Sequence, residues 1–281
     1  QWYTRLISEY APEAQVWAGE DGPIGGGDDG TCGKVSVCAT YASALWYADD
    51  MGLRAKHGFV QYQRQDFIGG YYGLVGSATP HKQTALGPME DLLLRPGYWV
   101  SFMYKRTIGT QVLNASSSSG YVRAYAYGDV PPSKHSAREC SVMGAVQLLL
   151  LNLHNTTNVT AHIATTHSLA YTAWTLSPPR TADGGGIDPF SHRTLLNGQL
   201  LPDTISGGKA PFLEDIPVAA RQGEVADGIV LPPLSVSFVC VGWQGGDTRP
   251  QRGATSSTAL PSAAVAATAA AAVTPPKPHL I

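Results

Sequence analysis

Charge is scarce in this chain. Asp, Glu, Lys and Arg make up only 14% of its 281 residues, with 19 basic side chains against 21 acidic ones and a formal net charge of −2. No basic run exceeds the Lys105-Arg106 pair. The sequence therefore carries no electrostatic footprint for nucleic acid, an acidic membrane surface or another polyanion. No apolar stretch reaches the roughly 18 residues of a bilayer-crossing helix. The histidines are scattered and none of the four cysteines forms a C-x-x-C pair, so the donor spacing of a zinc site is lacking. We expect no metal and no cofactor. The first residues, Gln1-Trp2-Tyr3-Thr4-Arg5, show neither an initiator nor the charged-then-apolar order of a signal peptide. The chain reads as beginning in the middle of something.

Hydrophobic residues are plentiful at 43%, with 31 glycines and 20 prolines. That profile fits a loop-rich extracellular-type protein. Four cysteines allow two disulfides or four buried thiols; Cys32–Cys38 would close a small loop and Cys140–Cys240 a long one. Asn114, Asn155 and Asn158 each open an N-x-S/T sequon. Together these features point to the extracellular space, the secretory pathway, or a lysosome or vacuole.

The first hundred residues alternate helix and strand signals. Gln1 to Tyr10 has helical spacing, QVWAGE is a short strand, Val35 to Met51 a helix, HGFVQYQRQ a strand and Tyr98 to Ile108 a helix. That order implies parallel strands with crossover helices. After Thr110 come short runs separated by turn residues: TQVL, GYVRAYAY, AVQLLLLNL, SLAYTAWTL, RTLL and IVLPPLSVSFVCVGW. These read as antiparallel strands of a β-sandwich. Two strands and three helices are too few for a covered parallel sheet. The expected fold is α/β plus all-β: the last part of a (β/α)8 barrel over residues 1–109, a C-terminal β-sandwich over 110–244, and a disordered Ala/Thr/Pro-rich tail over 245–281.

In such barrels chemistry sits at the carboxyl ends of the strands. Glu20 ends the strand in VWAGEDGPIGGG and precedes a glycine-rich loop, an arrangement suited to a sugar-cleaving carboxylate. The alternative is a surface Glu in an acidic turn. The run QRQDFIGGYYGLV, Gln63 to Val75, leads from the second strand into a loop that presents either amides and phenols to a ligand or ordinary packing groups. Trp46, Tyr47, Trp99 and Phe102 lie at core spacing. Asn152 and His154 suit a turn, and Asn197-Gly198 suits a two-residue hairpin.

Taken together, VWAGEDGPIGGG, ASALWYADDMGLRAKHGFVQYQRQDFIGGYYGLV and GYWVSFMYKRTIGTQVL resemble the heparanase-like β-glucuronidases of glycoside hydrolase family 79. The resemblance continues through LLLLNLHNTT, RTLLNG and LPPLSVSFVCV, and so covers about residues 1–243. It implies a retaining glycosidase with Glu20 as nucleophile. It further implies that Gly25, Gly26, Gly70 and Tyr72 hold the carboxylate of a glucuronide-containing glycan. The loop after Glu20 is one residue shorter than in heparanase, Tyr71 replaces the family's Asn, and Ile24 stands where an aromatic residue is common. The family's acid/base Glu lies upstream of any residue in this sequence. Asp21, Asp28, Asp29 and Asp66 do not match it, so the fragment by itself is expected to be inactive without the remaining barrel portion. A second reading, a non-catalytic carbohydrate-binding or adhesion module, would keep the sandwich and the glycine loop for recognition only.

Overall fold

The computed structural model describes residues 2–23, 37–68, 72–77, 92–128, 140, 146–165, 169–203, 218–243 and 265–270. Helix α1 (Trp2–Tyr10) precedes strand β1 (Val16–Asp21), helix α2 (Tyr41–Lys56) and strand β2 (Phe59–Arg64). β1 and β2 pair in parallel, as they must when a 16-residue helix carries the chain back between them. Strands β3 (Val75–Ser77) and β4 (Leu92–Leu94) pair antiparallel. Helix α3 (Pro96–Thr107) follows. Its proline occupies the first turn, where a missing N–H costs nothing. The Ser101 hydroxyl donates to the Tyr47 hydroxyl at 3.1 Å and ties α3 to α2.

The rest is antiparallel. One eight-stranded sheet has the order β12-β11-β10-β15-β8-β7-β5, with β13 also paired to β10. Its members are β5 (Gln111–Leu113), β7 (Val122–Gly128), β8 (Val146–Asn152), β10 (Leu169–Ser177), β11 (Leu195–Leu196), β12 (Gln199–Leu200), β13 (Arg221–Glu224) and β15 (Ser235–Trp243). A four-stranded sheet contains β6 (Ala115–Ser117), β9 (Val159–Ile163), β14 (Ile229–Leu231) and β16 (Val265–Ala270).

Two hydrophobic clusters lie on opposite faces of the large sheet. On one face, Tyr125, Leu149, Leu151, Trp174, Val236 and Phe238 meet Tyr41, Tyr47 and Met51 of α2 and Trp99 and Met103 of α3. On the other, Ala124, Ala126, Leu148, Leu150, Val239 and Val241 meet Val159, Ala161, Ile229 and Leu231 of the small sheet. Successive strand residues point to opposite faces, so the unbroken Leu148-Leu149-Leu150-Leu151 run feeds both clusters by turns. The helices and the β region thus share one continuous core. Cys140 and Cys240 are joined by a disulfide with Cα atoms 5.5 Å apart. Cys38 is also disulfide-bonded, and its expected partner Cys32 lies outside the described residues.

Several boundaries differ from the sequence expectation. α2 starts at Tyr41 because Thr40 is extended (ψ 176°) and its hydroxyl donates to the Val37 carbonyl at 2.6 Å. It runs past Met51 to Lys56 and stops where Gly58 takes φ +83°. The run IVLPPLSVSFVCVGW divides into β14 and β15 at Pro232-Pro233, which cannot donate to a ladder, and at Leu234 with φ +47°. The Asn197-Gly198 turn joins β11 to β12 with φ +49° and +86°. Within the stretch expected to be a disordered tail, Val265–Ala270 pairs antiparallel with β9 and parallel with β6. Nothing in the Ala- and Thr-rich composition of this stretch announces a strand.

Candidate functional site

β1 delivers two carboxylates to different surroundings. In the β1–β2 register Ala18 lies opposite Tyr62 and Asp21 opposite Arg64. Tyr62 and Arg64 face α2, since the Tyr62 ring is 5.6 Å from that of Tyr47 and the Arg64 guanidinium lies 5.0 Å over Tyr47. Asp21 faces α2 as well. It forms an ion pair with Arg54, whose Nε also donates to the Asp50 carboxylate at 2.8 Å. The Gly22 N–H donates to Asp21 at 2.9 Å. Burial, then the neighbouring Asp50 carboxylate, push the Asp21 carboxyl above the ordinary Asp range, against the pull of Arg54 and of Gly22. Arg54 also sits over the Phe59 and Tyr62 rings, at 5.3 and 5.6 Å, so it is held from several sides.

Glu20, one residue earlier, is exposed, and the β1–β2 register shifts between Ala18 and Asp21. Trp17 is 54% exposed, and Gln61 and Gln63 of β2 are exposed as well. A carboxylate, an indole and two amides are therefore accessible on this parallel strand pair. The carboxylate stands at the carboxyl end.

Tyr72 is buried beside this strand end. Its ring lies so near Gly22 that a Cβ there would stand 2.9 Å from Tyr72 Cε2. The Tyr72 carbonyl accepts from Arg64 Nη2 at 3.0 Å, and the next carbonyl, Gly73, accepts from Arg95 Nη1 at 3.1 Å. Two arginines thus clamp consecutive carbonyls and press Tyr72 against the turn that follows Glu20. Of the expected site residues, Glu20 and Tyr72 are described and flank the same strand end; Gly25, Gly26 and Gly70 lie outside the described residues, as do Asp28 and Asp29. Asn114, Asn155 and Asn158 are all exposed in the β region. Asn152 is fully buried and donates to the carbonyls of Thr157, Leu231 and Pro232, while accepting from the His154 N–H. It organises a turn. The Arg54–Asp50–Asp21 set and the Arg64–Arg95 clamp escaped the sequence reading. Only the i, i+4 spacing of Asp50 and Arg54 on a helix hinted at the first, and no local spacing hints at the second. Among the described residues no group of His, Cys, Asp and Glu is placed to hold a metal ion. No helix there is long and apolar enough to cross a membrane.

Fold and site together define an α/β unit that presents a carboxylate at the carboxyl end of a parallel strand, joined through a common core to antiparallel β layers. The chain is a homologue of the heparanases and heparanase-like proteins. It is 28% identical over 257 residues to heparanase-like protein 2 of Arabidopsis thaliana, covering 84% of this chain and 42% of the relative. It is also 28% identical over 241 residues to heparanase of Bos taurus, covering 84% of this chain and 38% of that protein. The chain thus spans less than half the length of these curated relatives. No protein-family model matches it. Among solved structures, a GH51 arabinofuranosidase from Xanthomonas axonopodis pv. citri overlays with a TM-score of 0.48 at 13% identity, covering 85% of this chain and 44% of that one.

Proposed function

We propose that this chain is the C-terminal part of a retaining glycoside hydrolase acting on β-linked glucuronic acid in polysaccharides or proteoglycans, with Glu20 as the nucleophile. One observation carries the reading: Glu20 stands exposed at the end of β1 while its acidic neighbour Asp21 is turned away and held by Arg54, in a chain homologous to heparanases. A nucleophile must reach an anomeric carbon from an open face. Glu20 attacks that carbon to form a glycosyl ester, which water then hydrolyses. A second carboxyl about 5–5.5 Å away must protonate the leaving oxygen. Asp21 cannot serve, since Arg54 holds it against α2. That acid comes from outside these residues, in the remaining strands of a (β/α)8 barrel whose C-terminal appendage is a β-sandwich.

Gly25, Gly26 and Gly70 offer backbone N–H groups, and Tyr72 a phenol, to the uronate carboxylate. The scarcity of Lys and Arg on the open face favours a general glucuronide over a densely sulfated chain. Secretion, or delivery to a lysosome or vacuole, suits disulfides and exposed sequons. The binding-module reading gains nothing from relatives named as heparanases.

The test uses a glucuronyl fluoride carrying a second fluorine on the carbon next to the anomeric centre. Fluoride leaves with little help from an acid, and the added fluorine slows hydrolysis of the ester. Mass spectrometry should find one adduct on the peptide holding Glu20, and none in Glu20→Gln. The chain alone should leave an unactivated glucuronide intact. A label on another residue, or none on a chain shown to be folded by circular dichroism, rejects the assignment.

A further inference from the structure

The candidate carboxylate stands at an irregularity in its strand. Ala18 lies opposite Tyr62 and Asp21 opposite Arg64, so β1 carries Gly19 and Glu20 where β2 carries only Gln63. Two residues facing one is the arrangement of a β-bulge, which bends a strand and re-aims its side chains. A bulge keeps one direction only if the chain on both sides of it is fixed. On the near side Ala18 is buried. On the far side the Asp21 carbonyl accepts from the Gln65 N–H at 3.0 Å, and the Asp21 side chain pairs with Arg54.

Arg54 is itself held. Its Nε donates to Asp50, one turn earlier on α2, at 2.8 Å, and its guanidinium lies over the Phe59 and Tyr62 rings. The Asp21 and Asp50 side chains are each 14% exposed, so water screens their charges little. One guanidinium thus serves two carboxylates. Burial and Asp50 raise the Asp21 carboxyl, so the cluster adds little net stability; what it adds is direction. Without Arg54, Asp21 and Asp50 would confront each other. The remaining polar neighbours are the Gly22 N–H, Tyr47 on α2, and Tyr62 and Arg64 on β2. Burial keeps both phenols neutral, and the Arg64 guanidinium is engaged with the Tyr72 carbonyl and the rings around it. The two carboxylates would repel and push the end of β1 outward.

We propose that Arg54 is a positioning residue: through Asp21 it fixes the bulge at Gly19-Glu20 and sets where the Glu20 carboxylate stands. Its bearing on catalysis rests on Glu20 being the nucleophile; the anchor itself does not.

Hydrogen–deuterium exchange of the peptide holding Val16–Asp21 is measured on the 281-residue chain at neutral pH and at about pH 4, each corrected for the intrinsic rate. Arg54→Gln should exchange there about tenfold faster at neutral pH and close to the wild-type rate at about pH 4, where Asp21 takes a proton. Asp21→Ala leaves Arg54 paired with Asp50; it should be faster at both values and decides the matter where Arg54→Gln does not fold. Arg123→Gln should match wild type, because Arg123 pairs with Asp49 instead. With the fluorinated glucuronyl fluoride, Arg54→Gln should lower the limiting rate of labelling roughly tenfold to a hundredfold and leave the half-saturating concentration nearly unchanged. Wild-type exchange in both variants at neutral pH, an effect of Arg54→Gln that is the same at both pH values, or an unchanged limiting rate in folded Arg54→Gln each overturns the proposal. A wild type that takes no label rejects the glucuronidase reading instead, and exchange alone then decides whether Arg54 anchors the bulge.

Discussion

Glu20 and Asp21 differ by one methylene and one position, yet their surroundings separate them completely. Glu20 is exposed, whereas Asp21 meets Arg54 of α2, where burial and Asp50 raise its carboxyl above 3.8. A raised acid is protonated more readily in the folded chain than in the unfolded one. Its stabilising contribution is complete below 3.8 and is lost as pH rises through the folded value. Asp21→Asn cannot titrate. Wild type should therefore lose stability relative to Asp21→Asn as pH is raised from about 3.5 toward neutrality, and urea midpoints at the two ends of that range would show it. A difference that grows in the opposite direction would mean that Arg54 outweighs burial and Asp50. Glu20 was legible in VWAGED as the candidate carboxylate, and Asp21 as an acid that does not match the acid/base role. What holds Asp21 was not legible, because Arg54 is 33 positions away and only the α2–β1 packing brings it in.

At the scale of elements, β8 is the informative strand. A run of four leucines in an antiparallel sheet departs from the apolar–polar alternation of a one-faced strand. The structure explains it: Leu149 and Leu151 pack against the helices, Leu148 and Leu150 against the small sheet, and all four are at most 1% exposed. Leu149→Ala and Leu150→Ala should therefore each cost about 2–5 kcal/mol by urea denaturation. If β8 had a solvent face, one of the pair would be tolerated within about 0.5 kcal/mol. Element types were readable from periodicity. Boundaries moved where capping decided them: Thr40 delays the start of α2 and Gly58 ends it. The β3–β4 hairpin and β6, β9, β13 and β16 escaped notice because three- to six-residue strands carry too little pattern to stand out.

For the whole molecule, the large sheet is the shared wall between helices and small sheet, and Cys140–Cys240 pins it. That bond closes a loop with a sequence separation of 100 residues, a separation at which cross-linking restricts the unfolded chain strongly. Cys140→Ser should cost roughly 2–5 kcal/mol, and a reductant should lower the wild-type Tm while leaving that variant less affected. Differential scanning calorimetry with and without reductant makes the comparison. Because the α2–α3 layer and the β layers share one core, a single cooperative transition is expected; two separated transitions would contradict it.

The sequence by itself determined the order of elements, the change from alternating helix and strand to antiparallel strands near residue 110, and the presence of a carboxylate at the end of a glycine-flanked strand. These depend on local periodicity and turn chemistry, which neighbouring residues encode. Tertiary structure alone decided which acid is free and which is held, how Arg64 and Arg95 converge, and why four leucines in a row are all buried. Those outcomes arise from contacts between residues tens of positions apart, set by packing rather than by spacing along the chain.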